Sequence, residues 1–374
     1  MTENVNNYQD TREISLAGYG LSELTNDPFQ KNSSLQTTGS NMYEELSSDS
    51  EGSVEIITRS FGKKIQAKNF RSIVVDESNV KWFLTELGIV SFNGKKWTLH
   101  NKNKQMPANI KGIDILSTPA GSKLWMATPE GASLASLPIG KKNPVNTFNT
   151  DYSPLLSNNV ISVATGSNSL SWFGTENGIS AIRDSKWLDY AYFDQYPKEL
   201  FSENPITTLA TSLDGDSLYV ATIGLGVLRV FRNDVDGISG ASDYAAWGPI
   251  HMPSDNIYSI CITPDGTQWF GTDMGVARHR GYNTLADWSV FDTENGLVNN
   301  YVQAIAADKE GKIWFGTKGG VSVYDGGEWT SITEDDGLNS NNVLSIAVDK
   351  DGTVWLGTDN GVSSYNKGEI TNYN

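Results

Sequence analysis

The chain reads as an all-β protein: a seven-bladed β-propeller of four-stranded antiparallel blades, preceded by a flexible acidic N-terminal arm. Three observations predict this. The phrase Trp-Leu-Gly-Thr-Asp-Asn-Gly-Val at 355–362 is rewritten along the chain, with its leading aromatic at Trp82, Trp125, Trp172, Tyr219, Trp269, Trp314 and Trp355. The steps between copies run from 41 residues (314 to 355) to 50 (219 to 269), a period that marks a repeat architecture. Each copy also parses into four short apolar runs joined by Gly-, Asp- and Asn-bearing turns, which is the pattern of a propeller blade.

The boundaries follow from where the repeats begin. Residues 1–53 form the arm and 54–374 the propeller. The arm carries nine acidic residues against Arg12 and Lys31, with no sustained hydrophobic period. Such a segment buries too little apolar surface to offset its ordering entropy. Its one apolar patch, residues 14–21, is a candidate contact for a partner.

Within a copy, the first strand is the 343–349 run, matched at 302–308, 257–263, 206–212, 160–166, 110–116 and 70–76. Its third position is small throughout (Ser72, Gly112, Ser162, Thr208, Ser259, Ala304, Ser345), as expected where seven strands converge on an axis. The second strand holds the anchor aromatic and an unvarying threonine. The glycine that follows suits a turn requiring positive φ. The fourth strand carries a second aromatic at Trp97, Trp187, Trp288 and Trp329, with Trp247 in the same role for copy four. All these rings are expected to pack blade against blade.

Closure has two contenders. Ile370, in the 368–373 run, lies fifteen residues after Trp355, the spacing that separates Trp314 from Trp329. Ile56, in the 54–59 run, precedes Phe70 as Trp329 precedes Val343. One run is expected to be the outer strand of the last blade and the other to lie beside it or fray.

Composition limits the partners. The 374 residues carry a formal charge of -16, so the electrostatic attraction that drives nucleic-acid binding would be repulsive here. The single cysteine, Cys261, forms no internal disulfide framework. No apolar run is long enough to span a bilayer, and no signal peptide is visible at the start as written.

The 349–362 stretch, Asp-Lys-Asp-Gly-Thr-Val-Trp-Leu-Gly-Thr-Asp-Asn-Gly-Val, together with Gly-Leu-Asn-Ser-Asn-Asn-Val at 337–343 and Tyr365, resembles the two-component regulator propeller repeat. Copies three, five, six and seven match closely, and one, two and four are degenerate. The resemblance implies a bacterial sensor or surface propeller, placed outside the cytoplasm and often recognising carbohydrate. The alternative location, the cytoplasm, follows from the absent signal peptide. The chain departs from the sensor pattern in having one ring and no kinase segment.

Catalytic chemistry has little support. The three histidines, His100, His251 and His279, form no metal-ligand spacing, and there is no nucleophile elbow or phosphate loop. The Asp-Lys-Asp-Gly turns lack the later ligands of a calcium loop, and residues 233–237 are only a weaker candidate. No cofactor or metal is expected. One enzymatic alternative remains, a magnesium-dependent lyase resembling the streptogramin lyases, which share this fold and use His, Glu and magnesium. His100 and His251 would then meet on one face.

The reading preferred is a non-enzymatic module that binds another protein or a neutral or cationic glycan around the axis. In a propeller, the loops from second to third strand and from fourth to next first strand share a face. They place Glu176, Asp273 and Asp359 there, with Lys318 in copy six and Asn159, Asn256 and Asn342 at the first-strand starts. The loop with Tyr190, Tyr192, Phe193 and Tyr196 adds aromatic surface suited to sugars or to a protein contact.

Overall fold

A computed structural model describes residues 67–373, apart from 101–105, 141–142, 167–168, 189–199, 214, 216, 233–237, 245–251 and 281–286, and four short strands before them. Seven antiparallel sheets succeed one another around an axis. Blades one to seven occupy 72–99, 112–148, 160–188, 206–244, 257–291, 302–332 and 343–373. In each, four strands run in order from the axis outward, and each first strand packs beside that of the next blade.

The unvarying threonine closes the hairpin between second and third strands. In all seven blades its Oγ1 donates to the carbonyl of the turn glycine, at 2.7 to 3.0 Å. In six it also accepts an N–H from within the turn. The glycine has positive φ each time, as at Gly320 (120°), a conformation costly for any residue with a Cβ. One glycine earlier in the repeat serves closeness instead. A Cβ on Gly316 would lie 2.8 Å from Val343 Cγ1 in the next blade.

The small third position proves necessary for a reason slightly different from the expected one. These residues line the axial channel, and two of their hydroxyls reach the neighbouring first strand. Ser162 Oγ accepts the N–H of Leu209, and Ser345 Oγ donates to the carbonyl of Phe70 at 2.6 Å. A β-bulge precedes this position in blades three to seven. The bulge leaves the second residue of the strand unpaired and turned to the channel rim.

The aromatics pack between blades as anticipated. Trp82, Trp125, Trp172, Tyr219, Trp269, Trp314 and Trp355 are all nearly inaccessible to solvent. In blades one, six and seven the indole Nε1–H donates to an aspartate six residues earlier: Asp76, Asp308 and Asp349, at 2.9 to 3.0 Å. The other oxygen of each carboxylate accepts two N–H groups of the hairpin turn. The Asp-Lys-Asp-Gly turns are thus held by turn chemistry.

Two expectations need correction. The outer strand of blade seven is Glu369–Tyr373, whereas Val54–Thr58 lies in an extension of blade one's sheet, paired with Glu45–Ser48 and Lys63–Ile65. Spacing alone could not separate the two, since strand pairing is non-local and Ile56 fits the register equally well. The fourth strand of blade four is Ile238–Tyr244 rather than a strand holding Trp247, which lies outside the described residues. From the arm, Ile14–Ser15 pairs with the outer strand of blade three and Glu45–Ser48 with that of blade one; the rest of residues 1–53 lies outside the described residues.

Candidate functional site

Seven first strands enclose a channel of about 300 Å³. Around its mouth the sequence-selected Asn and acidic residues come together as pairs within blades. Asn159 Nδ2 donates to Glu176 Oε2 at 2.7 Å, Asn256 to Asp273 Oδ2 at 2.9 Å and Asn342 to Asp359 Oδ2 at 3.0 Å. Asn69 and Glu86 repeat the arrangement in blade one. Each pair links the start of a first strand to the adjacent hairpin turn, so its recurrence reflects fold construction. Hydrogen bonds from Asn159 and Ser157 hold the Glu176 carboxyl below its ordinary range. Asp273 and Asp359 each keep a second oxygen that is buried without a donor among the described residues.

Blade six breaks this pattern. Tyr301 stands where blades one, three, five and seven have Asn, and Lys318 where they have an acid; blade two has Pro129 in the acid position and blade four has Pro205 and Ile223. The Lys318 ammonium lies 3.5 Å from the centre of the Tyr301 ring, a cation–π contact replacing a hydrogen bond. Tyr301 also packs on Tyr258, the bulge residue of blade five, with ring centres 4.7 Å apart. Desolvation, the Tyr258 hydroxyl and the charge of Asp273 together push the Tyr301 phenol above its usual range. The cluster of Tyr258, Tyr301, Lys318 and Asp273 is therefore a non-repeated, half-buried aromatic platform at the mouth. Sequence reasoning noticed Lys318 and Asp273 but missed both tyrosines. The available signal was the paired exchange, Asn to Tyr and acid to Lys in the same copy.

The residues that precede the small position differ from blade to blade. Lys111 Nζ donates to Asn159 Oδ1 at 2.5 Å, and Gln303 Nε2 donates to Asn342 Oδ1 at 2.9 Å. Each thereby joins one blade to the Asn–acid pair of the next. Arg71 is exposed at the same level of the channel.

The remaining sequence-selected residues divide cleanly. Tyr190, Tyr192, Phe193, Tyr196 and His251 lie outside the described residues, as does the 233–237 segment. His100 ends the outer strand of blade one, bonded to Ser91 Oγ at 2.9 Å and packed against Trp82. Burial lowers its pKa to about 4, so it is neutral at physiological pH. His279 is buried, stacked on Trp288 and bonded to Gln268. These two histidines serve blade packing, and no cluster of three metal-ligating side chains occurs among the described residues.

Residues 296–319 and 337–360 match the two component regulator propeller family. No curated protein sequence matches the chain. Among solved structures, an extracellular domain assigned to a hybrid two component system of B. thetaiotaomicron is similar over 82% of this chain, at 19% identity and a TM-score of 0.60. The chain spans 38% of that domain's length. A streptogramin B lyase is similar over 80% of this chain and 93% of its own, at 18% identity and a TM-score of 0.59. The virginiamycin B lyase of Staphylococcus aureus follows, over 79% of this chain and 92% of its own, at 16% identity and a TM-score of 0.55. At these identities the likeness concerns the fold. The described residues form a seven-bladed ring, two stretches of which, in its last two repeats, match the two component regulator propeller.

Proposed function

We propose that this protein is a non-enzymatic binding module that takes its ligand at the channel mouth, on the Tyr258–Tyr301–Lys318 platform. The observation carrying this reading is the paired exchange in blade six. A structural pair present in blades one, three, five and seven has been replaced there by an aromatic and a cation, beside a further tyrosine contributed by blade five. Tyrosine rings offer flat apolar faces with polar tips, suited to pyranose rings or to a protein loop. Asp273 supplies an acceptor for hydroxyl or amine donors, and the acidic rim favours a neutral or cationic glycan over an anionic one. A position outside the cytoplasm accords with the sensor-domain neighbour. No helix among the described residues is long and apolar enough to cross a membrane.

The test restores the repeat. Tyr301→Asn with Lys318→Asp rebuilds the pair that blades five and seven already tolerate, so the fold should survive. In a panel of neutral oligosaccharides screened by thermal shift, a ligand of the native protein should lose at least tenfold in affinity on this double variant. Unchanged affinity with an unchanged melting temperature would overturn the reading. A second reading, lyase chemistry, draws support from the two lyase neighbours. Magnesium-dependent turnover of a streptogramin, abolished by His251→Ala, would establish it in place of the first.

A further inference from the structure

A different site lies between blades six and seven, on the face opposite the mouth. In blade five, Arg278 pairs across the hairpin with Trp269 and fills the seam toward blade six. Its guanidinium carbon lies 5.5 Å from the centre of the Trp269 ring and 5.2 Å from that of Phe291. It donates to Tyr324 Oη and to Ser289 Oγ, both at 3.0 Å. Arg229 does similar work in blade four, lying over Tyr219 and donating to Ser217 Oγ. At the closing seam the cation comes from the other side, as Lys81 over Trp355.

Blade six keeps the surroundings of Arg278 and lacks the arginine. Strand register makes Val323, paired with Trp314, the counterpart of Arg278, and Thr330 the counterpart of Ser289. Trp314 stands for Trp269, Ile332 for Phe291 and Tyr365 for Tyr324. Val323 is four heavy atoms shorter than arginine, and a groove of about 530 Å³ opens along these same residues. The Tyr365 ring stays 5.0 Å from that of Trp314, and its hydroxyl meets no partner among the described residues. Three lysines line the groove, Lys309, Lys312 and Lys367; Lys312 pairs with Asp325 at 3.1 Å and Lys309 donates to the carbonyl of Lys350. Of the three lining acids, Asp308 accepts the Trp314 indole N–H, Asp351 accepts an N–H of Asn79, and Glu310 is the third.

We propose that this groove is a receptor for an arginine side chain of a partner protein, whose guanidinium takes the place that Arg278 occupies one seam earlier. An arginine laid over the Trp314 and Tyr365 rings, as Arg278 lies over Trp269 and Tyr324, gains two π faces, with the Tyr365 and Thr330 hydroxyls as acceptors. A neutral side chain would gain only part of this. The site is independent of the mouth, so its failure would leave the platform reading untouched.

The experiment uses the full chain with ¹⁵N-labelled tryptophan, the Trp314 indole signal being assigned with Trp314→Phe. N-acetyl-arginine amide should shift that signal saturably, while N-acetyl-citrulline amide, of the same shape without the charge, should not. Val323→Arg supplies the missing group in cis; it should raise the melting temperature by a few degrees and abolish the response to the probe. Should that variant not fold, Tyr365→Phe should weaken the response several-fold with the fold intact. A Trp314 signal unmoved by the arginine probe, moved equally by citrulline, or still responsive in folded Val323→Arg would overturn the proposal.

Discussion

Two seams of the ring hold an aspartate, and they treat it oppositely. At the closing seam between blades seven and one, Asp349 meets the Lys81 ammonium at 2.8 Å, with both side chains almost inaccessible. Burial on its own would raise the Asp349 pKa. The hydrogen bonds from Lys81 and Trp355, with the Lys81 charge, outweigh it and hold the carboxyl below its ordinary value. Between blades two and three, Asp114 receives only neutral donors, the Thr165 N–H and Oγ–H and its neighbour Ile115 N–H. There burial wins and pushes the carboxyl up to about 6. The difference follows from connectivity. Blades two and three are joined by the chain itself. Blades one and seven are each complete in one segment, so their seam is closed by contacts without a chain link, side-chain pairs together with backbone hydrogen bonds.

The closing seam accordingly concentrates interactions. Trp355, Phe83, Phe92, Trp97 and Tyr373 form one aromatic cluster, with ring centres 4.4 to 6.0 Å apart. Phe70 N–H donates to the Thr358 carbonyl and Asn79 Nδ2 to Asp351. The largest expected effect is therefore from Trp355→Ala, which removes the cluster's centre and one partner of Asp349. A loss of roughly 3–5 kcal/mol is expected in denaturant unfolding. Limited proteolysis should then open a cut near residues 67–70 that the native ring resists. A variant as protease-resistant as the native ring would show that closure does not depend on this packing. Next comes Lys81→Ala, which leaves Asp349 buried without its cation and should cost about 3 kcal/mol. Lys81→Met keeps the volume but not the charge. With Asp349→Asn added it should recover part of that loss, because an uncharged pair avoids the desolvation of two ions. Failure of the double variant to improve on Lys81→Ala would mean the ion pair has a role beyond charge balance.

Much of this organisation was legible in the sequence. Thr317, Gly320 and Trp314 recur because every blade needs the same hairpin staple and the same wedge, and recurrence is visible in one chain. What escaped was contact across seams. Lys81 and Asp349 are 268 residues apart (349 minus 81) and belong to different repeats, so no local pattern relates them. The choice between the 54–59 and 368–373 runs stayed open for the same reason. Tyr301 and Val323 are informative only as departures from a register, and that register depends on knowing which strand positions face each other. Asn159, Asn256 and Asn342 showed the converse. Their recurrence was detectable, and it marked scaffold, while the candidate platform lies where blade six abandons them.

The smallest effect expected is also the most direct reading of the two seams, since acid should act on them with opposite signs. An unfolded aspartate titrates near about 3.9. Asp349 has a folded pKa below that, so its stabilising contribution is present above about pH 3.9 and lost as pH falls through the folded value. Asp114 has a folded pKa of about 6. Its contribution is complete below about pH 3.9 and lost as pH rises through about 6. Melting temperatures of the native chain should thus be compared with those of Asp114→Asn and Asp349→Asn between about pH 7 and about pH 3. On passing from about pH 7 to about pH 5, the native chain should gain on Asp114→Asn, by an amount on the order of 1 kcal/mol. Asp349→Asn should track it in parallel over that span. Below about pH 4 the native chain should instead lose ground to Asp349→Asn as the Lys81 pair is protonated apart. If both variants followed the native profile throughout, the ionisation states of the two seams would be alike, and connectivity would not be what sets them apart.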